Sequence, residues 1–355
     1  MLSKRKFLMV LRVMRKTRFN ADLLPFLSNL MKHKRGSFKK NAQKDIPYPT
    51  TLMLELTNKC NLHCITCPRE YGFGKEMSIG NMPTELAVKI IDEAIPYLKS
   101  IGLTGMGETL FADNLEEVAR YIKQRKQNIV IAISTNANIP NFIDKITPVL
   151  PYIDTIQVST DGVGEGYEKI RKGASFDCLE NNLRQLVPLA KENQVDIMFN
   201  MVITQKNYEQ MPHVIAFAER IGVRFVNFTY FNLASVTDIP LEYYQFFSSE
   251  TFLDLLAKTK DAVSRYPQIE VTGLEFPGNP GIQKCPLLWD HFQINHDGEM
   301  PPCCAKPFSK EYSYGNVWKT SVREVVNSEK AKQLRAACVA GKTPDFCRKC
   351  HFVNL

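Results

Sequence analysis

The chain has 355 residues, 44% hydrophobic and 23% charged, with a formal net charge of +8 and ten cysteines. Those proportions exclude disordered, collagen-like and low-complexity classes, and no apolar run approaches the roughly 20 residues that cross a bilayer. Residues 1–45 hold 13 of the 45 Lys/Arg against Asp22 and Asp45 alone, so this segment is +11 and the remainder −3, which argues against a nucleic-acid face on the body.

In chain order, residues 1–46 form a basic leading segment. Over 4–18, Lys4, Arg5, Lys6, Arg12, Arg15, Lys16 and Arg18 are interleaved with Phe7, Val10, Leu11 and Met14 at the spacing of one apolar helix face. A second apolar patch follows at Leu23, Leu24, Phe26, Leu27, Leu30 and Met31. Such a stretch suits docking on the chain's own barrel, a partner, or an anionic membrane surface touched through residues 4–31. Nucleic acid is not expected, because few stacking aromatics accompany the charges. The run Phe7–Leu11 is too short for a signal-peptide core. The expectation is a cytoplasmic protein, peripheral at the inner face of the membrane if the basic segment binds lipid.

Residues 47–235 alternate strand and helix. Strand patterns fall at 52–56, 101–104, 129–134, 154–159, 195–203 and 224–229, and helical patterns at 84–98, 113–127, 141–149, 177–193 and 207–221. That alternation predicts parallel strands with helices outside. Six units fit an α/β fold with a partial (β/α)6 TIM-type barrel, a doubly wound sheet being the alternative. In both, active groups gather at the C-terminal strand ends. Residues 236–274 read as a connecting helical segment with a helix at 249–265. Residues 275–355 read as a small C-terminal domain: a Pro/Gly-rich stretch at 277–281, a hairpin at 291–302 turning at Asp297-Gly298, and a helix at 321–337.

Without a secretion signal, clustered cysteines ligate metal or do redox work more often than they form disulfides. Cys60-x3-Cys64-x2-Cys67 directly follows the first strand. Structural zinc sites take four ligands, usually in two pairs, whereas three thiolates in one loop suit three corners of a 4Fe–4S cube and leave one iron open. A zinc or redox loop is the plainer alternative, with His63 a poor fourth ligand. Cys285, Cys303, Cys347 and Cys350 make a second, four-thiolate set that zinc or an iron–sulfur cluster would fit on spacing alone. Cys304 could stand in for Cys303, although the spacing from Gly298 favours Cys303. Cys178 and Cys338 lie in helical patterns and read as packing residues.

The string Glu55-Leu-Thr-Asn-Lys-Cys60-Asn-Leu-His-Cys64-Ile-Thr-Cys67-Pro68-Arg69 resembles the opening of the radical S-adenosylmethionine (AdoMet) enzymes. Gly105-Met-Gly107-Glu108 is similar to that family's Gly-Gly-Glu segment, with Met106 interposed. Ser134-Thr-Asn136 ends the third strand, Ser159-Thr-Asp161-Gly162 is similar to the ribose-side segment, and Asn200 lies in the fifth strand. The resemblance covers about residues 50–230. It implies a 4Fe–4S cluster on Cys60, Cys64 and Cys67 whose open iron chelates AdoMet, with Glu108, Ser134, Asn136, Ser159, Asp161 and Asn200 around the cofactor. One electron, from a donor such as flavodoxin or ferredoxin, would cleave AdoMet to methionine and a 5′-deoxyadenosyl radical.

Asn295-x-Asp297-Gly298-x4-Cys303 and Tyr314-Gly-Asn-Val317 are similar to the auxiliary-cluster domains of that family, the longer SPASM and the shorter twitch. With five residues after Cys350, the expectation is one auxiliary 4Fe–4S cluster on Cys285, Cys303, Cys347 and Cys350. The resemblance then implies two-electron oxidation of an alcohol on a sugar, an aminocyclitol or a lipid-linked small molecule. The layout is similar to 2-deoxy-scyllo-inosamine dehydrogenase. Peptide maturases use the same domain type and are the rival within the class. A non-enzymatic metal scaffold recruited by its basic arm is the rival outside it. Arg171, Tyr230 and Cys304 are the candidate catalytic residues.

Overall fold

The computed structural model describes residues 23–36, 42–236, 238–275, 285, 287–307 and 311–351. The helical face expected over 4–18 lies outside the described residues. The patch that follows it forms a helix, α1 (Leu23–Arg35). Asn29 Nδ2 donates to the Tyr48 carbonyl at 2.9 Å, and Lys126 Nζ lies 4.5 Å from the centre of the Phe26 ring, so α1 rests on the body. Its Leu24, Leu27 and Met31 remain exposed. Among the described residues, no helix is long and apolar enough to cross a membrane.

The expected strands form as β1 (Thr51–Leu54), β2 (Ser100–Leu103), β3 (Val130–Thr135), β4 (Thr155–Ser159), β5 (Asp196–Ile203) and β6 (Phe225–Tyr230). They are joined by β7 (Glu270–Thr272) and β8 (His291–Ile294) in one eight-stranded sheet, in the order β8-β1-β2-β3-β4-β5-β6-β7. Every pairing in it is parallel. Strands β1 to β6 neighbour one another in chain order, without the reversal that marks a doubly wound sheet. The architecture is therefore the partial TIM-type barrel, with β7 and β8 as its two edges.

Alternation along the strands sets the layers. Leu52, Leu54, Ile101, Leu103, Ile131, Ile133, Ile156 and Val158 are buried on one face. Half-buried Met53, Gly102, Ser134, Gln157 and Ser159 share the other. The connecting helices α2 (Thr84–Ala94), α3 (Leu115–Arg125), α4 (Phe142–Ile146), α5 (Phe176–Glu192) and α6 (Met211–Ile221) bury apolar stripes such as Leu86, Ile90, Ile91 and Val118, Ala119, Ile122. Helix α7 (Glu250–Arg265) follows, with Ser249 accepting from the Phe252 N–H as its cap.

Two features of the C-terminal region differ from the sequence reading. The turn at Asp297-Gly298 forms, with Gly298 at φ +84° and its N–H on the Asn295 carbonyl. The incoming strand, however, is β8, which joins the barrel beside β1 with Leu52 opposite Phe292. The outgoing strand Glu299–Met300 pairs instead with Gly315–Asn316, antiparallel. Phe292 and Ile294 are buried, so β8 completes an apolar layer that β1 alone would leave open. The helix expected over 321–337 is two helices, α8 (Val322–Val326) and α9 (Glu329–Val339). The break falls at Asn327, whose side chain accepts from the Ile46 N–H and donates to the Ile46 carbonyl, and at Ser328, which caps α9.

Phe292 ties the C-terminal region to the barrel. Phe292→Ala is expected to destabilise the protein by about 3–5 kcal/mol, read as a lower guanidinium midpoint.

Candidate active site

The first cysteine loop is pinned to the barrel by backbone hydrogen bonds. His63–Cys64 pairs antiparallel with Arg171–Lys172, the Ile65 N–H donates to the Ile170 carbonyl, and Tyr71 Oη donates to the Ile65 carbonyl. Desolvation pushes the Cys64 thiol up to about 12, against the pull of Arg171, and the nearby Asp161, Cys67 and Cys60 raise it further. Desolvation also pushes Cys67 up to about 11, restrained by the Arg69 N–H and guanidinium and raised by Cys60. The three sulfurs thus occupy one neighbourhood, in which Cys64 and Cys67 are unfavourable as lone thiolates. Thiols raised in this way ionise only against strong positive charge, which a metal centre provides. Among the described residues, no three His, Cys, Asp or Glu side chains close on a single-ion site. The fit to an iron–sulfur cluster rests on soft, mutually close thiols, Cys64 buried and Cys60 and Cys67 half-buried, with Arg69 and Arg171 beside them.

The segment Gly105–Glu108 packs against the backbone that enters this loop. A Cβ on Gly107 would meet the Thr57 and Lys59 carbonyl oxygens at 2.6 Å, and the Glu108 N–H donates to Lys59 O at 2.7 Å. A Cβ on Gly105 would strike Glu55, whose Oε2 accepts from the Met106 N–H at 2.8 Å. Glu108 is buried and accepts from Thr135 Oγ1 (2.7 Å), Asn136 N (2.7 Å) and Leu110 N (3.2 Å). Burial raises its carboxyl and these bonds oppose the rise. Here Glu108 ties the end of β2 to the end of β3. Asn136 Nδ2 donates to Asn61 Oδ1 at 3.0 Å and lies 4.0 Å from Cys60 Sγ.

Asp161 is fully buried, accepting from Arg171 Nη1 at 2.7 Å and from the Val202 N–H at 2.8 Å. Arg171 is therefore held behind the cysteine loop, and its buried Nε has no protein partner. Ser159 stands opposite Asn200 in the β4–β5 register, and Asn200 Oδ1 accepts from Asn227 Nδ2. Ser134 and Ser159 share the half-buried face of the sheet.

The second cysteine group converges on the other side. Desolvation raises the Cys303 thiol, and Cys304, Cys350, Cys285 and Cys347 add to the rise. The Cys285 thiol is pushed up to about 12 by desolvation, with Cys350 and Cys338 adding. Cys338, read from sequence as packing, thus borders this group. Cys304 interacts with Cys350 and faces a cavity of about 390 Å³.

That cavity lies between the two cysteine groups. Thr66 and Pro68 of the first loop form one wall, and Cys304, Ala305 and His351 another. Tyr230, Asn232 and Glu275 line it from the end of β6 and beyond β7. Tyr230 and Cys304 therefore share one space, whereas Arg171 is engaged elsewhere. Tyr230 Oη donates to the Leu274 carbonyl at 2.8 Å. Asn232, Glu275 and His351 were not singled out from sequence. Their signals were weak: Asn232 two residues past a strand, His351 beside Cys350, and Glu275 with no local pattern.

Residues 54–218 match the model of the radical SAM superfamily, and residues 285–351 match SPASM, described as an iron–sulfur cluster-binding domain. The tungsten-containing aldehyde ferredoxin oxidoreductase cofactor-modifying protein of Pyrococcus furiosus is 27% identical over 180 residues, 48% of this chain and 49% of that protein. The chain spans about half the length of the curated relatives it matches. Among solved structures, Streptococcus suis SuiB bound to precursor peptide SuiA superposes with a TM-score of 0.64 at 15% identity, over 92% of this chain and 74% of that one. BtrN in complex with AdoMet and 2-DOIA gives 0.51 at 14% identity, over 87% and 93%. At these identities the structural likeness speaks for the fold.

Cys303→Ala is expected to lose the auxiliary cluster's iron, whereas Cys304→Ala keeps it. Iron content after anaerobic purification checks both; the reverse pattern would make Cys304 the ligand.

Proposed function

We propose that this chain, which belongs to the radical SAM superfamily and carries a SPASM domain, oxidises an alcohol carbon on a sugar, an aminocyclitol or a lipid-linked small molecule. The observation that carries the reading is the cavity walled by the first cysteine loop on one side and the Cys303–Cys304 loop on the other. Its volume of about 390 Å³ lies in the small-molecule range of roughly 300–1,000 Å³. Oxidation of an alcohol to a ketone or aldehyde removes two hydrogens from one substrate: a hydrogen atom from carbon, a proton from oxygen and one electron. A substrate held between two redox sites meets both needs.

When bound, the first cluster and AdoMet supply a 5′-deoxyadenosyl radical as hydrogen acceptor, and the auxiliary cluster supplies an electron sink. Cys60, Cys64 and Cys67 would hold the first cluster; Cys285, Cys303, Cys347 and Cys350 would hold the second. A flavodoxin- or ferredoxin-type protein would be the electron donor. Val202, Phe228 and Phe231 line the cavity with apolar surface. Glu275 offers a carboxylate there for the hydroxyl proton, while burial pushes the Tyr230 phenol up and leaves it a hydrogen-bond donor. The exposed Leu24, Leu27 and Met31 on α1, close in sequence to Lys32, Lys34 and Arg35, favour peripheral membrane contact and, with it, a lipid-linked alcohol.

Peptide maturation is the second reading. It draws on SuiB, whose fold covers most of this chain and whose structure holds a precursor peptide.

Reduced anaerobically with AdoMet and candidate alcohols, the protein is expected to yield 5′-deoxyadenosine together with an equal amount of product lacking two hydrogens. Mass spectrometry reads both. A product that keeps its hydrogen count would end the dehydrogenase reading, and a peptide substrate that becomes crosslinked would install the second.

A further inference from the structure

We infer that Asn232 raises the reduction potential of the auxiliary cluster by donating its side-chain N–H to the sulfur of Cys350. Asn232 follows β6, the sixth barrel strand, and its Nδ2 lies 3.3 Å from Cys350 Sγ. Its orientation is fixed from the other end, because Oδ1 accepts the Ala234 N–H at 2.9 Å and so caps the turn Leu233–Ser235. Flipping the amide would set N–H against N–H and oxygen against sulfur. The N–H must therefore face Cys350.

The sulfur is held by the same short stretch of chain. Tyr244 Oη donates to the Lys349 carbonyl and accepts from the Leu233 N–H, both at 2.9 Å. Lys349 Nζ donates to the Val236 and Ile239 carbonyls. Donor and acceptor thus move as one unit, and Asn232 is a positioning residue acting through Cys350. Reduction adds negative charge to a cluster and its thiolates, so an N–H dipole aimed at a ligand sulfur favours the reduced form. Asn232 also lines the cavity, between substrate space and acceptor.

The test is an EPR-monitored potentiometric titration of the anaerobically loaded full chain. Asn232→Asp and Asn232→Ser both keep an oxygen to cap Ala234 and remove the N–H. With auxiliary iron retained, the Asp variant is expected to shift that cluster's reduction equilibrium at least tenfold toward the oxidised form, about 59 mV for one electron. The Ser variant shifts the same way by less, and the first cluster stays where it was. An unmoved auxiliary potential in both variants overturns the inference. Should the variants shed the cluster, pulsed EPR of the wild-type chain labelled with 15N-asparagine decides: nitrogen coupling to the reduced auxiliary cluster supports the bond, and its absence overturns it. The inference rests on the auxiliary cluster of the proposed function but not on the alcohol. The titration contains neither AdoMet nor substrate, so an unmoved potential leaves the function standing, and failure to oxidise any alcohol leaves a measured shift intact.

Discussion

Parallel pairing in near register is the constraint on which the rest depends. It brings the ends of eight strands to one edge of one sheet, so that residues far apart in the chain become lateral neighbours. Glu55 after β1, Glu108 after β2, Asn136 after β3, Asp161 after β4 and Asn232 after β6 all issue from that edge. Each side chain then bonds to the backbone of a neighbouring or following segment: Glu55 to Met106, Glu108 to Asn136, Asn136 to Asn138, Asp161 to Val202, Asn232 to Ala234. The edge is a polar lattice built on an apolar sheet, and the first cysteine loop rests on it.

The addition of β8 extends this logic to the C-terminal domain. Because β8 runs parallel to β1, its end brings His296 onto Glu55, with Nδ1 3.1 Å from Oε1 and both side chains buried. Glu55 thereby links the auxiliary domain to the Gly105–Glu108 segment through one carboxylate. Two glycines follow from that crowding. A Cβ on Gly105 would overlap Glu55, and one on Gly80 would come within 2.8 Å of the His296 ring. The two cysteine groups are thus held in fixed relation through paired backbone and one buried carboxylate, with the cavity between them.

Burial gives the sulfurs their character. Cys64, Cys67, Cys285, Cys303 and Cys347 are each pushed up chiefly by desolvation, and neighbouring thiols push further. A protein that encloses so many thiols needs compensating positive charge to ionise them, and metal clusters meet that need. Arg171 is part of the same balance. It is paired to Asp161 and lies close enough to Cys64 to restrain its rise.

The sequence by itself determined the barrel strands, the helices between them and the two cysteine groups. Buried parallel strands carry continuous apolar runs, amphipathic helices carry a 3.6-residue period, and ligand loops are local in the chain. Only the tertiary structure decided that 291–294 leaves its hairpin for the barrel edge, because that choice depends on the apolar layer exposed beside β1, some 240 residues earlier in the chain. The same holds for the break at Asn327, imposed by Ile46, and for Arg171, a catalytic candidate on sequence that the fold pairs with Asp161. The amide of Asn232 has no local partner except its own turn. Its sulfur contact exists because β6 and the last cysteine pair, more than a hundred residues apart, are folded against each other. Local periodicity fixes elements; contacts between distant segments fix which of their side chains meet.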